Sequence, residues 1–292
     1  MPLHKKDLGT VSLAQETKQI LKDYGIVLNR KLGQNYLIDD FKRKKILNFA
    51  NLNSYDTVLE IGSGIGTLTL PMASVAKKVI AIEQDPRIAQ ILNNRLEEIG
   101  LDNVEIMNSD ALKVDFPHFN KIVSNLPYQI SSPITFKFLE YDFDLAILMY
   151  QKEFAQRMNA QVDSPHYSRL SVMIHFKAIV ELLDNVSPQS FIPPPKVDSS
   201  VVKLVPLKEI ELDDFFASVV RAIFQHRRKK AKKALKESFH EIGEYKKEEI
   251  NNILKKMDCY LLEDRVFKLS PKDILAISNR LNIILNSKCF QI

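Results

Sequence analysis

Three of the chain's eight glycines, Gly62, Gly64 and Gly66, fall within five residues. They follow the apolar run Thr57–Ile61, which predicts a buried strand, and they precede a stretch that predicts a helix. Glycine lets the backbone turn sharply and approach a ligand closely, and the first N–H groups of the helix are free to bind that ligand. The cluster predicts a nucleotide site, although a strand-to-helix turn without a ligand would use the same residue type.

Two acids follow the next predicted strands and bear on which nucleotide binds. The third glycine of the dinucleotide pattern G-x-G-x-x-G is missing, because that position is Thr67. Glu83 ends the second strand, where a carboxylate can accept both ribose hydroxyls and repel a 2′-phosphate. Asp110 follows the third strand, where it can accept a hydrogen bond from an adenine amino group. Glu83 therefore disfavours NADP as the ligand but does not exclude NAD. Glu83 and Asp110 could each instead be a solvated loop residue.

The fourth predicted strand ends in Asn125-Leu126-Pro127-Tyr128. Proline fixes the local backbone and holds nearby carbonyl groups in one direction. An amide oxygen, a carbonyl oxygen and a flat ring together suit the exocyclic amino group of a base that has left its stack. A simple Asn-x-Pro turn with a core tyrosine would also explain the tetrapeptide by itself.

Positive charge is concentrated between Arg221 and Lys236, where eight Lys or Arg occur with no acid. The whole chain has a net charge of +5, so the remainder is slightly acidic. A solvated helix face is the usual fate of such a run, but like charges four residues apart weaken a helix and favour a polyanionic partner. We expect RNA phosphate contacts from Arg221, Arg227, Arg228, Lys229, Lys230, Lys232 and Lys233.

Short apolar strands alternating with helices are predicted to position these groups. Strands are expected at Thr57–Ile61, Lys78–Glu83, Val104–Asn108, Lys121–Ser124 and Leu145–Tyr150, with a late antiparallel pair at Arg169–Leu182 and Ser199–Pro206. Helices are expected at Ser12–Tyr24, Asp40–Ala50, Leu68–Ala76 and Pro86–Ile99. This order predicts an α/β fold, a Rossmann-like, mostly parallel sheet with helices on both faces.

Strand patterns end at Pro206, and only helical patterns follow. These helices are expected at Asp213–Phe224, Lys229–Phe239, Lys246–Met257 and Pro271–Leu285. We therefore predict an α/β domain over residues 1–207, with the candidate site, and a small all-helical C-terminal domain over residues 208–292, with the basic run.

Composition excludes several classes of protein. Apolar residues at 45% and charged residues at 26% rule out whole-chain disorder. Cys259 and Cys289 do not frame a disulfide scaffold, and the six histidines lack ligand spacing, so we expect no metal site. The longest apolar run, Leu145–Tyr150, is far too short to span a membrane, and no apolar stretch follows the basic start. We expect a soluble, cytoplasmic protein.

Together, the E-x-G-x-G loop, the acids after strands two and three and the N-L-P-Y element resemble a class I S-adenosylmethionine-dependent methyltransferase of the N6-adenine type. Two further motifs, Leu32–Leu37 and Phe191–Ser199, narrow the resemblance to the KsgA (RsmA) family of rRNA adenine dimethyltransferases. The motifs lie in the family's order across residues 31–240. The sequence G-Q-N in the first motif favours this family over the related Erm enzymes.

The resemblance implies a role for each matching residue. S-adenosylmethionine would bind at Asn35, Leu37, Glu60, Gly62, Gly64, Glu83, Asp110, Ala111 and Asn125. The catalytic group would comprise Asn125, Leu126, Pro127, Tyr128 and Phe191. Tyr128 would stack on the target adenine, and Phe191 would cover the other face of that base. Two positions depart from the family pattern, since Ser63 replaces a common Pro and Tyr36 replaces Phe.

The resemblance also implies the activity and its partners. We expect an enzyme that dimethylates N6 of two adjacent adenosines near the 3′ end of small-subunit rRNA, within a pre-ribosomal small subunit. Residues 1–207 would be the methyltransferase domain, and residues 208–292 would bind RNA or the ribosome. The chain is expected to act as a monomer and not to bind a membrane. One alternative is a catalytically silent assembly or transcription factor on the same fold, which the intact motifs argue against. An NAD-dependent oxidoreductase is disfavoured by Thr67 and by N-L-P-Y.

Overall fold

A computed structural model describes residues 11–26, 35–207, 212–257 and 259–288. The first half of the predicted motif Leu32–Leu37, which is Leu32, Gly33 and Gln34, lies outside these residues. Within the described part of the chain, no helix is long and apolar enough to cross a membrane.

In the residues that the structure describes, nine strands form a seven-stranded sheet and a two-stranded ribbon. The strands are β1 (Tyr36–Leu37), β2 (Thr57–Ile61), β3 (Lys78–Glu83), β4 (Val104–Asn108), β5 (Lys121–Asn125), β6 (Leu145–Gln151), β7 (Ala178–Val186), β8 (Phe191–Ile192) and β9 (Ser199–Pro206). The sheet has the order β4-β3-β2-β5-β6-β9-β7, and β1 pairs antiparallel with β8 in the ribbon.

The first five strands of the sheet are parallel, and β9 is added antiparallel to β6. Ile61 of β2 pairs with Ile82 of β3, and Glu83 of β3 pairs with Asn108 of β4. This register brings the carboxyl ends of β2, β3, β4 and β5 to one edge of the sheet. The predicted α/β fold with a mostly parallel sheet is confirmed.

Eleven α-helices occur in the described residues. They are α1 (Leu13–Asp23), α2 (Asp40–Ala50), α3 (Thr69–Ala73), α4 (Pro86–Ile99), α5 (Ser131–Phe138), α6 (Lys152–Met158), α7 (Arg169–His175), α8 (Asp214–Phe224), α9 (Ala231–Glu237), α10 (Lys247–Lys256) and α11 (Pro271–Lys288). Local sequence explains α4 well, because Asp85 caps its first turn, Pro86 opens it and Gly100 ends it in the left-handed conformation.

The predicted strand over Arg169–Leu182 is wrong in its first half, which is helix α7. Ser168 and Ser171 form a reciprocal capping box at the start of this helix, and that local signal favours a helix over a strand. Leu170, Val172 and Ile174 are buried along α7. The strand begins only at Ala178.

The chain forms two compact units. The first comprises Met1–Ala155 and Val180–Pro206, and the second comprises Gln156–Ile179 and Leu207–Ile292. The second unit therefore includes a segment that the predicted boundary at residue 207 places with the first domain. The physical reason is packing, because Val172 and Phe176 are buried in the same apolar core as the C-terminal helices.

Candidate active site

A pocket opens at the carboxyl edge of the sheet in the first unit. All nine residues predicted to bind the cofactor line it, namely Asn35, Leu37, Glu60, Gly62, Gly64, Glu83, Asp110, Ala111 and Asn125. Carboxyl ends of parallel strands are where open α/β sheets bind ligands. Residues that lie up to 90 positions apart in the sequence therefore meet because the strand register places their strand ends side by side.

Two of the glycines are needed for the shape of this pocket. Gly62 and Gly64 have φ values of +71° and +57°, which side-chain-bearing residues rarely adopt. A Cβ atom on Gly62 would lie 3.2 Å from Cδ of Pro127, and one on Gly64 would lie 2.9 Å from Cε1 of Tyr36. The backbone thus passes closely between Pro127 and Tyr36, which a larger residue would prevent.

Glu83 presents a fixed carboxyl group to the pocket. The backbone N–H of Gly64 donates to its Oε2 and that of Asp85 donates to its Oε1, both at 2.9 Å. The residue is 9% exposed, and burial raises the pKa of this carboxyl above its ordinary value. Each oxygen keeps a second lone pair that can accept a hydrogen bond from a ligand hydroxyl.

Glu60 is the second acid of the pocket and is more deeply buried, at 2% exposure. The hydroxyl of Thr69 donates to its Oε2 at 2.6 Å. Burial, together with the nearby charge of Glu83, raises the pKa of this carboxyl to about 8. Glu60 therefore carries a proton at neutral pH in the folded protein without a ligand.

Asp110 lies in the loop after β4 and lines the pocket. Its Oδ1 accepts from the N–H of Leu112 at 3.0 Å, and the ammonium of Lys113 lies 3.7 Å from its Oδ2. The loop is tied to the end of β3 because the N–H of Ser109 donates to the carbonyl of Glu83. The two predicted ligand-binding acids are thus held in one framework.

The Asn125 amide has a defined orientation. Its Nδ2 donates to the backbone carbonyl of Asn35 at 2.9 Å, which leaves Oδ1 as an acceptor. The carbonyl of Pro127 already accepts from the N–H of Ile130 at 3.2 Å. The Leu126 side chain is buried, so this residue can contribute only through its backbone.

Tyr128 and Phe191 do not line the pocket, although both were predicted to contact the substrate base. Tyr128 is half-buried, and its hydroxyl forms a 2.5 Å hydrogen bond with that of Ser199, which holds the ring in place. Phe191 is 2% exposed and packs in the apolar core of the first unit with Leu37. The expectation that Phe191 covers the target base stays a prediction, and it would require this buried ring to become exposed.

Ser63 lines the pocket and was not predicted as a site residue. Its hydroxyl is buried and has no hydrogen-bond partner in the described part of the protein. The departure from the family's common Pro was the only sequence signal at this position. Tyr36 and Gln129 also line the pocket, and neither was predicted as a site residue.

The predicted RNA-binding residues lie in the second unit, and they differ in whether their charged groups already bond to other groups of the protein. Arg227 donates to the backbone carbonyls of Ser164 and Pro165, which anchors its side chain within the unit, and its phosphate contact stays a prediction. Ion pairs with nearby glutamates engage Arg221, Lys229, Lys230 and Lys232. Arg228 and Lys233 are exposed and make no ion pair within 4 Å with any described residue.

No group of three or more His, Cys, Asp or Glu in the described ranges is placed to hold a metal ion.

Comparison with known proteins identifies the family. Residues 26–282 match the family described as ribosomal RNA adenine dimethylase. The chain is 54% identical over 275 residues to the probable ribosomal RNA small subunit methyltransferase A of Methanothermobacter thermautotrophicus, covering 94% of this chain and 98% of the relative. It is 53% identical to the protein of the same name from Methanosphaera stadtmanae, covering 90% and 96%.

Solved structures agree with the sequence comparison. A dimethyladenosine transferase from Plasmodium falciparum aligns with a TM-score of 0.72 and 34% identity, covering 84% of this chain and 97% of that one. The 23S rRNA methyltransferase ErmE aligns with a TM-score of 0.61 and 28% identity, covering 85% and 99%. With a family match over most of its length and relatives above 50% identity, this chain belongs to the ribosomal RNA adenine dimethylase family of methyltransferases.

Proposed function

We propose that this enzyme dimethylates N6 of two adjacent adenosines near the 3′ end of small-subunit rRNA, with S-adenosylmethionine as donor, during assembly of the small ribosomal subunit. The observation that carries the proposal is the oriented amide of Asn125 at the edge of a pocket that holds every predicted donor-binding residue. The protein is proposed to act as a monomer.

The pocket suits the donor on chemical grounds. Glu83 offers carboxyl oxygens, held by two backbone N–H groups, to the ribose hydroxyls, and Asp110 can accept from the adenine amino group. Gly62 and Gly64 leave space that a Cβ would fill. Asn35, Leu37, Glu60, Ala111 and Asn125 complete the proposed donor site. When bound, the donor supplies an electrophilic methyl group on a sulfonium.

Asn125 and the Leu126 carbonyl are proposed to orient the target amino group. Adenine N6 is a poor nucleophile because its lone pair is delocalised into the ring. Two acceptors that draw its hydrogens to one side would turn the lone pair toward the methyl group, and positioning of this kind supplies much of the rate. The Pro127 carbonyl is the alternative second acceptor, since Pro127 lines the pocket and its carbonyl keeps a second lone pair beside the bond from Ile130.

Tyr128 is proposed to stack on the target adenine, because Ser199 holds its hydroxyl and fixes the plane of its ring. Stacking on an aromatic side chain is a common way to hold a splayed-out base. No strong general base is needed, since the methylated amino cation is acidic and loses its proton afterwards. The monomethylated nitrogen keeps one hydrogen, so only one of the two acceptors would orient it for the second transfer.

Nucleoside analysis tests this proposal. Small subunits from cells that lack the modification are incubated with labelled S-adenosylmethionine and the protein, and the rRNA is digested to nucleosides. The proposal expects label in dimethyladenosine that maps to two adjacent positions near the 3′ end. Binding of the subunits without any label transfer would instead favour the catalytically silent assembly factor.

A further inference from the structure

A groove rich in lysine lies in the second unit and shares no lining residue with the pocket described above. Its walls come from α9 and the start of α10. Five lysines line it, Lys230, Lys232, Lys233, Lys236 and Lys247, and we call it the lysine groove.

Positive charge in the lysine groove is only partly neutralised. Two acids, Glu237 and Glu263, also line it. Glu263 pairs with Lys230 at 2.9 Å and lies 3.9 Å from Lys232, whereas Glu237 pairs with Lys229. The other three lysines, Lys233, Lys236 and Lys247, make no ion pair within 4 Å with a described residue. The hydrogen bond from Lys229, helped by the charge of Lys233, holds the pKa of the Glu237 carboxyl below its ordinary value. A concave surface with three such cations favours an anionic ligand.

The groove also contains an aromatic ring in a fixed position. Tyr245 lines it and is 37% exposed. The ring contacts buried Phe239 edge to face, with centroids 5.3 Å apart. Gly243 lies against the Tyr245 ring so closely that a Cβ there would be 2.8 Å from Cε2. The ring is therefore held in place by Phe239 and Gly243, and its exposed part lines both the lysine groove and a neighbouring pocket that contains Glu244 and Glu249.

We propose that the lysine groove binds one unpaired nucleotide of the RNA substrate, with its base on Tyr245 and the adjacent phosphates on Lys233, Lys236 and Lys247. Lysines that follow a backbone beside a stacking ring are how proteins hold single-stranded nucleic acid. A duplex does not fit this arrangement, because its bases are stacked on each other. The inference rests on the proposed function for the identity of the RNA as substrate, and it adds a second nucleotide site outside the pocket.

Binding to two RNA probes tests the proposal. One probe is a 20-nucleotide single-stranded RNA, and the other is the same strand in a blunt duplex. Tyr245→Leu is expected to weaken single-strand binding about tenfold, and Tyr245→Phe, which keeps the ring, is expected to restore it. Neither variant should alter duplex binding, which removes a general folding defect as an explanation.

Removal of the lysines tests their interaction with the phosphates. Each lysine that neutralises a phosphate contributes about 0.7 to the salt slope of single-strand binding, so the triple variant K233Q/K236Q/K247Q should reduce that slope by about 2. The control K255Q/K256Q/K272Q removes the same charge from exposed sites of the second unit outside the groove and should leave the slope unchanged. Equal slopes for the two triple variants would overturn the proposal, as would unchanged single-strand binding by Tyr245→Leu.

The same preparations separate this proposal from the proposed function. If the wild-type protein binds single-stranded RNA through Tyr245 but forms no dimethyladenosine, the nucleotide site in the lysine groove is supported and the activity is contradicted. If the protein forms dimethyladenosine but Tyr245→Leu leaves its affinity for single-stranded RNA unchanged, the nucleotide site in the lysine groove is contradicted and the activity is supported.

Discussion

Glu60 is a buried acid whose raised pKa makes folding depend on pH. Below its ordinary pKa of 4.5 the carboxyl is protonated in both states, and above about 8 it is ionised in both. Between these values only the folded protein keeps the proton, so stability falls as pH rises through this range. Glu60 alone should lower the free energy of unfolding by up to about 1.4 kcal/mol per pH unit there.

Glu60→Gln isolates this effect, because glutamine keeps an acceptor for Thr69 and cannot titrate. Urea denaturation from pH 4 to pH 9 should show the wild type losing stability relative to the variant as pH rises. Burial also raises the pKa of Glu83, but that residue is present in both proteins and largely cancels in the difference. A difference independent of pH would contradict the protonated state assigned to Glu60.

Ser63 carries a buried hydroxyl without a partner in the described residues, which costs free energy in the ligand-free protein. Ser63→Ala should therefore stabilise that state by about 1 kcal/mol in urea denaturation. Ser124 is the matched control, because its buried hydroxyl donates to the Ile61 carbonyl at 2.6 Å. Ser124→Ala should destabilise the protein by about 1 kcal/mol. If Ser63→Ala and Ser124→Ala lower the free energy of unfolding equally, the Ser63 hydroxyl is not the unpartnered group described above.

The location of a single residue could be predicted where a motif fixes both the residue type and its place at a strand end. Glu83 and Asn125 are of this kind, and both line the pocket. The burial of Phe191 was not predicted, because a motif specifies a residue but not whether its ring is buried. Tyr245 was missed because a loop separates it from the lysines beside it in space, and no sequence spacing reports that proximity.

At the scale of elements, the turn between β2 and α3 gives the sharpest prediction. Gly64→Ala adds both a strained φ and a clash with Tyr36, whereas Gly100→Ala at the end of α4 adds the strained φ with nothing within 4 Å. Both should lower stability by about 1 kcal/mol from strain. Only Gly64→Ala should also weaken the affinity for S-adenosylmethionine in calorimetry. Equal donor affinity in the two variants would mean that the turn does not shape the donor site.

The parallel strands were predicted closely for a physical reason. A parallel strand is buried on both faces, so β2 and β3 appear as short, continuous apolar runs with clear ends. The segment Arg169–His175 combines apolar residues with a serine capping box, and its apolar run was mistaken for a strand. Its burial against the C-terminal helices depends on contacts distant in sequence, which local patterns do not contain.

At the scale of the whole molecule, the mild net charge of +5 conceals an uneven distribution. The donor pocket in the first unit contains buried acids, and the lysine groove in the second unit contains lysines without ion-pair partners in the described residues. The sequence predicted this basic run and the helical character of its surroundings. It did not predict that Arg227 anchors a loop of its own unit, since the two backbone carbonyls that hold it lie more than 60 residues away.

The role proposed for the Asn125 amide is to orient adenine N6 for methyl transfer in this pocket. The most direct measurement is the dimethyladenosine content of small-subunit rRNA after incubation with S-adenosylmethionine and either wild-type protein or Asn125→Ala. We predict dimethyladenosine with the wild type and at least about 100-fold slower formation with the variant, which should still bind the donor. Dimethylation by Asn125→Ala at the wild-type rate, or none by the wild type, would contradict the account.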